Sequence, residues 1–365
     1  MLDRFNEAIE ARKTGSAAIC CCLKIQRMSV NMNLKEIAKL SNVSITTASR
    51  ALNGTGYVAP EKKEKILNIA KQYHYIPNRT AVSLRNSSTK LIGYIVSDIS
   101  NYFHGRVASG IEDSIRVAGY NLIVCSTQND PEIEKNYLDA LVGLNVAALI
   151  INTTGENDSL IMQISRHIPM VYIVRRVTGA YGDIIDLDNE GAIRELCNVL
   201  FLNGHRKIYF INGSKKYSNA RERLAGFIAA NHEMNVKINR NYIYEGDFSE
   251  KSGYEAVSNL INRSKGKMPT AILCGNDSIS LGAMKALHER GYLIPRDVSF
   301  ASFNDIPHEG ILGIMPTVAS FNSYSVGCLA GKCALERIVN PLIAPRILIS
   351  DAVIRIGNTI TNINN

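Results

Sequence analysis

Apolar positions recur at helical spacing from Leu34 to about Tyr73, whereas from Leu91 onward they gather into short continuous runs; the change of period divides the chain. In LKEIAKLSNVSITTASRALN, residues 34–53, Leu34, Ile37 and Ala38 form the apolar face of one short helix, and Val43, Ala48 and Leu52 that of a second. Ser41-Asn42-Val43 between them predicts a tight turn, because Asn tolerates the left-handed backbone and Ala38 lets two helices cross closely. Ser44 predicts an N-cap whose hydroxyl accepts from the backbone N–H of Thr46 or Thr47. Ile45, Thr46, Thr47, Ser49 and Arg50 then point outward. Small hydroxyls, one apolar residue and an Arg suit the major groove of DNA, where they donate, accept and touch thymine methyls. An ordinary helical hairpin fits the same pattern.

A Gly-bearing loop follows, and Pro60 opens a third helix where its missing N–H is harmless, with Ile66, Ile69, Ala70 and Tyr73 as its buried stripe. Ala59 offers no capping side chain. After Tyr75-Ile76-Pro77-Asn78 comes Arg79 to Arg85, helical in propensity but short enough to be marginal alone. The runs LIGYIVS, NLIVCST, AALIINT, PMVYIV, KIYFIN, TAILCGN and VSFASF then read as strands. Helices are expected between them, around 107–117, 133–144, 192–202, 221–234, 254–261 and 278–290. Continuous apolar strands separated by helices mean parallel sheets covered on both faces. Two such series, before and after about residue 190, predict two similar subdomains with a cleft between them.

Charge sharpens this division. The net formal charge is +8, yet residues 32–90 alone hold ten Lys or Arg against three Asp or Glu, and residues 91–365 hold 26 against 27. A basic head on a neutral body argues for a polyanionic partner at one end. The eight cysteines fit neither a disulfide framework nor zinc spacing, and read as reduced core residues of a cytoplasmic protein: Cys125 and Cys274 in strands, Cys328 and Cys333 in a late helix. No apolar run reaches the length of a membrane span. Residues 1–31, with Cys20-Cys21-Cys22, read as a disordered leader or start-site artefact, with Met28 or Met32 as the working start.

Residues 34–53 resemble the lactose-repressor family of bacterial transcriptional regulators, whose N-terminus typically reads T-x-x-D-I-A-x-x-A-G-V-S-x-x-T-V-S-R-x-L-N. YIPNRTAVSLR resembles that family's hinge helix, which folds when two copies meet in an operator's minor groove; by that resemblance Leu84 is the wedge pushed into a base step. DISNYF at 98–103, RLAGF at 223–227, GDFSEKSGY at 246–254, GNDSISLGAM at 275–284 and SFNDIP at 302–307 resemble the family's effector domain, itself similar to periplasmic sugar-binding proteins. The resemblance implies a helix-turn-helix head at 32–77, a hinge helix and linker at 78–90 and a two-subdomain, periplasmic-binding-protein-like α/β core at 91–365. The expected DNA-binding residues are Ser44, Ile45, Thr46, Thr47, Ser49, Arg50, Asn53, Asn78, Arg79 and Leu84.

Ligands of open α/β sheets gather outside the carboxyl ends of strands, where these echoes fall. Phe248, Tyr102 and Phe103 are the candidate apolar platform for a sugar, and Arg223, Asn276 and Asn304 its polar ring, with Ser218 and Asn219 beside them. By resemblance, Arg223 is the effector-gripping arginine and Phe248 an aromatic wall; Asp277 is expected to cap the following helix. The family often has Asp where this chain has Asn304, and Asp where Val174 precedes Arg175. Effector identity therefore does not transfer from a relative.

No catalytic, cofactor or metal motif is present: there is no G-x-S-x-G, Walker loop or H-E-x-x-H, and the seven histidines are scattered. The chain reads as a sugar-responsive repressor, a homodimer on a pseudo-palindromic operator, since no leucine heptad follows RILISDAVIRIG to build a tetramer. Its rivals are the same fold with the effector or a protein partner as corepressor, a transport-type sugar receptor, and an α/β enzyme using the cleft. A receptor needs export, and the basic head argues against it.

Overall fold

The computed structural model describes residues 32–54, 56–73, 75, 89–264, 268–307, 310 and 313–364. The expectations for residues 1–31, and for Asn78, Arg79 and Leu84, lie outside them. The chain divides between Ser87 and Ser88 into two units.

The first unit holds α1 (Leu34–Ser41), α2 (Ile45–Asn53) and α3 (Pro60–Gln72). Asn33 and Glu36 close a capping box at α1: the Asn33 N–H donates to Glu36 Oε2 at 2.7 Å, and the Glu36 N–H donates to Asn33 Oδ1 at 3.1 Å. Asn42 ends α1 at φ 54°, the left-handed turn expected of it. Pro60 opens α3, and Ala59 supplies no side-chain cap. Ile37, Ala51, Ile66 and Ala70 form the core, flanked by Met32, Val43, Leu52, Val58, Ile69 and Tyr75. Tyr73, expected inside, is 46% exposed. The helix ends just before it, and the Tyr75 N–H donates back to the Ala70 carbonyl at 2.8 Å, which gives Tyr75 the inner place.

The second unit opens with β1 (Leu91–Val96), α4 (Tyr102–Arg116), β2 (Asn121–Ser126), α5 (Pro131–Gly143), β3 (Ala148–Ile151), α6 (Asp158–Ile164), β4 (Met170–Ile173) and β5 (Asp183–Leu187). It continues with α7 (Asn189–Leu202), β6 (Ile208–Asn212), α8 (Ser218–Glu233), β7 (Ile243–Glu245), α9 (Glu250–Ser264), β8 (Ala271–Cys274), α10 (Asp277–Glu289), β9 (Ser299–Phe303) and β10 (Thr317–Ser320). Last come α11 (Ser323–Val339), β11 (Ile347–Ser350) and β12 (Val353–Arg355). One sheet runs β11-β5-β4-β3-β1-β2, parallel throughout; the other runs β12-β10-β9-β8-β6-β7, with only β12 antiparallel. All seven strands expected from apolar runs are present. In each sheet the order reverses beside the first strand, β1 or β6, which opens a crevice at the carboxyl ends.

A single division near residue 190 is corrected by this topology. The chain enters the second subdomain there, returns to the first for α11 and β11, and goes back for β12. The return is anchored by close helix packing and by charge. A Cβ added at Gly110 of α4 would lie 2.1 Å from the Tyr324 carbonyl oxygen, and one at Gly327 of α11 would lie 2.1 Å from that of Val107, so only glycine permits this approach. Fully buried Asp183 at the start of β5 takes Arg337 Nη2 of α11 at 2.6 Å and Arg346 Nη2 at 2.7 Å.

Candidate functional site

In the first unit Ser44 caps α2, its Oγ accepting the Thr47 N–H at 3.1 Å and lying 2.8 Å from Thr47 Oγ1. That cap fixes where the helix begins and hence which residues face out. Ile45, 45% exposed, stands with Thr46 and Arg50 on the open face, while Thr47 and Ser49 are half-buried. Asn53 is the last residue of α2. Lys62, Lys63 and Lys65 are exposed on the first turns of α3. The unit thus presents a short hydroxyl-rich helix and exposed cations, with no carboxylate among the residues of α2.

In the second unit the carboxyl ends of both sheets line one cleft. The first subdomain contributes Asp98, Phe103, His104, Asn129, Asn152 and Arg175, and the second contributes Asn219, Arg223, Phe248, Asn276, Asp277 and Asn304. Six of the eight expected effector residues therefore converge. Tyr102 and Ser218 are not among the lining residues. Tyr102 is the first residue of α4 and is 42% exposed; it is the next two residues, Phe103 and His104, that turn inward. Ser218 instead faces the loop after β4, its Oγ accepting the Arg176 N–H at 3.4 Å.

Arg223, 2% exposed, is held by its own subdomain. Its Nε donates to Asn189 Oδ1 at 2.9 Å, its Nη1 donates to the Gly275 carbonyl, and its guanidinium lies 3.6 Å from the Phe303 ring centroid. Burial, outweighing the nearby acids, lowers its pKa to about 9, so it remains cationic at neutral pH. Phe248 takes φ 69° and lies over Gly213, where any Cβ would stand 2.1 Å from its ring. Asn304 directly follows β9 at φ 74°, and its buried Oδ1 has no hydrogen-bond partner among the described residues. Such an orphaned acceptor is costly unless a ligand donates to it.

The assignment of Asp277 as a cap is corrected. Asn276 caps α10, its Oδ1 accepting the Ile279 N–H at 2.9 Å while its Nδ2 donates to the Phe248 carbonyl at 3.1 Å. Asp277 lies one residue inside the helix and accepts Asn101 Nδ2 from across the cleft at 2.7 Å. Asn101 Nδ2 also donates to Ser278 Oγ at 2.9 Å. Lys216 meets Glu156 at 3.0 Å and Arg176 meets Glu222 at 3.4 Å, so contacts bridge the subdomains at several points.

Arg175, His104, Asn129 and Asn152 were not among the expected residues. Arg175 and Asn129 follow strand runs and Asn152 stands at the carboxyl end of one, and the strand-end rule applied to every strand would have found them. His104 packs inside, with Nδ1 3.0 Å from the Tyr94 hydroxyl and Nε2 3.1 Å from Ser97 Oγ. Burial, helped by the Arg175 charge, lowers its pKa to about 3. Together the walls offer aromatic faces, amides and two guanidiniums, which is the chemistry for holding a small hydroxylated molecule. Among the described residues no cluster of His, Cys, Asp or Glu could hold a metal ion, and no helix is long and apolar enough to cross a membrane.

The sequence pattern described as bacterial regulatory proteins, lacI family, matches residues 33–78, and that of periplasmic binding proteins and sugar binding domain of LacI family matches residues 89–349. The HTH-type transcriptional repressor PurR of Actinobacillus pleuropneumoniae serotype 3 (strain JL03) is 34% identical over 307 residues, covering 84% of this chain and 90% of that protein. PurR of Klebsiella pneumoniae (strain 342) is 32% identical over 312 residues, with the same coverage. Among solved structures, the lac repressor dimer bound to operator and the anti-inducer ONPF has a TM-score of 0.75 at 23% identity, covering 90% of this chain and 99% of that one. The CelR–cellobiose complex has a TM-score of 0.68 at 22% identity, with the same coverage. These two likenesses speak for the fold, and the family patterns and the PurR relatives for descent: the chain belongs to the LacI family of DNA-binding bacterial regulators.

Proposed function

We propose that the protein is a transcriptional repressor acting in the cytoplasm at the nucleoid, binding a pseudo-palindromic operator as a homodimer and responding to a small carbohydrate in its cleft. The observation that carries the regulatory reading is the cleft itself. Buried Asn304 and Arg175 each leave a polar atom unpaired at its wall, and residues of both subdomains face a single ligand volume. A ligand that prefers one arrangement of the subdomains shifts the population toward it, and operator affinity follows by linkage. Ser44, Ile45, Thr46, Thr47, Ser49, Arg50 and Asn53 are the proposed major-groove residues, with Asn78, Arg79 and Leu84 in the minor groove; the exposure of Ile45, Thr46 and Arg50 supports this. The PurR relatives are named as repressors, which supports repression here.

The test is selection of a duplex by the full chain from random DNA, followed by titration of sugars against the selected site. Release from the duplex defines an inducer and tightening a corepressor. Failure to enrich a two-fold symmetric site would refute the operator reading.

A further inference from the structure

Resting on the reading of the cleft as the effector site, we propose that the effector is an acidic carbohydrate whose oxyanion, a carboxylate or a phosphate, sits against Arg175. Two buried guanidiniums, Arg175 at 4% exposure and Arg223 at 2%, line the cleft, and neither hydrogen-bonds a carboxylate among the described residues; their hydrogen-bond partners are amide and carbonyl oxygens. Arg175 Nη1 is spent on neutral acceptors, Asn129 Oδ1 at 2.9 Å and the Thr153 carbonyl at 2.8 Å, while its buried Nε has no partner among the described residues. Tyr217 covers the guanidinium face at 3.6 Å.

The nearby acids are bonded elsewhere: Glu134 takes the Thr154 N–H, the Thr154 hydroxyl and Asn157, while Asp186 and Glu222 pair with Arg176. Asp98 Oδ1 takes the N–H and Oγ of Ser100 at 2.8 and 2.7 Å. Asp277 takes Asn101, and its burial pushes its carboxyl toward the neutral form. Arg175 itself has its pKa lowered by burial only to about 10 and stays charged near neutrality. Val174, the adjoining residue at the cleft, has a hydrocarbon side chain, so it brings no counter-charge. A buried unpaired charge is expensive to keep, and a hydroxyl meets its hydrogen-bond demand without meeting its charge. An oxyanion meets both, through short charge-assisted bonds in the plane of the guanidinium.

Calorimetry on the full chain at two salt concentrations would compare matched pairs: D-glucuronate with D-glucose, D-galacturonate with D-galactose, and D-ribose 5-phosphate with D-ribose. In at least one pair the acid is expected to bind about tenfold to a hundredfold more tightly. The uronates and the phosphate separate the two sources of the oxyanion. Arg175→Gln should erase the preference. Val174→Asp should erase or reverse it by placing a carboxylate beside Arg175, and this variant should fold, because Asp tolerates the φ of 65° found there better than a β-branched residue does. Neutral sugars binding as tightly as acids, with binding lost in Phe248→Ala, would overturn the oxyanion and leave the cleft as the site. No binding by any of the six, or binding untouched by Phe248→Ala, would overturn both.

Discussion

The guanidinium of Arg175 lies 3.6 Å from the ring centroid of Tyr217, which reaches over from the opposite subdomain. The Tyr217 hydroxyl also donates to Asn129 Oδ1 at 3.3 Å, the same oxygen that accepts Arg175 Nη1. One ring thus joins the two halves of the second unit and sets the orientation of the buried cation. A desolvated cation–π contact stabilises by roughly 2 kcal/mol. Tyr217→Ala should shift the ligand-free population toward open forms and weaken the effector by a similar amount. Small-angle scattering and calorimetry check this together, and an unchanged radius of gyration with unchanged affinity would remove Tyr217 from the closing mechanism.

Arg223 and Asn304 should separate structural from ligand roles. Arg223 bonds Asn189 and Gly275, so Arg223→Ala should lower the melting temperature as well as effector affinity. Asn304→Gly keeps the positive φ and removes an oxygen that has no partner among the described residues, so it should leave stability nearly unchanged. Its effector affinity should fall by about 1 to 3 kcal/mol. Phe248→Ala should lose affinity through apolar area and stacking. Thermal melts beside calorimetry distinguish the three, and equal destabilisation by Asn304→Gly and Arg223→Ala would contradict the assignment.

On DNA, Ile45 and Thr46 variants should change which operator bases are preferred, whereas Lys62→Ala or Lys63→Ala should weaken all duplexes alike and flatten the salt dependence. Ser44→Ala removes the α2 cap and should cost about 1 kcal/mol of head stability. A base-substitution scan reads the first contrast directly; parental preferences in the Ile45 and Thr46 variants would mean that α2 does not read bases.

Acid should loosen the second unit in two stages. His104 has a folded pKa of about 3 against roughly 6.5 unfolded, so its contribution is whole above pH 6.5 and falls as pH drops below it. Burial alone would raise the Asp183 carboxyl, but Arg346 and Arg337 outweigh it and hold the pKa below the usual carboxylate range. That contribution is present above about pH 3.9 and is lost as pH falls through the folded value. Urea titrations from pH 7.5 to 4.5 should show stability declining in the parent and a shallower decline in His104→Gln. Arg337→Met removes the buried one of the two guanidiniums that Asp183 holds and leaves Arg346 in place, so it should cost less near neutrality than the roughly 3 to 5 kcal/mol of a fully broken buried pair. A His104→Gln profile parallel to the parent would rule out the histidine.

What the sequence determined by itself was local. The Asn42 turn, the Ser44 cap, the Pro60 start and the strands with continuous apolar runs follow from side-chain size, capping chemistry and period, which act within a few residues. β5 escaped notice because DIIDL carries acids at both ends of its apolar pair, and β7 because it is three residues long. Which residues meet in the cleft was only partly legible: Phe103, Asn219, Arg223, Phe248, Asn276 and Asn304 stand near strand ends or on quoted family stretches. Tertiary structure decided the rest. It put Tyr102 outside and Phe103 inside, since adjacent helix residues point about 100° apart and only packing chooses between them. It returned α11 and β11 to the first sheet through the Gly110–Gly327 approach and the Asp183 ion pairs, contacts more than 150 residues apart in sequence. And it left Arg175 buried without a carboxylate, because whether a charge is paired depends on every element around it, a property that no local stretch of sequence carries.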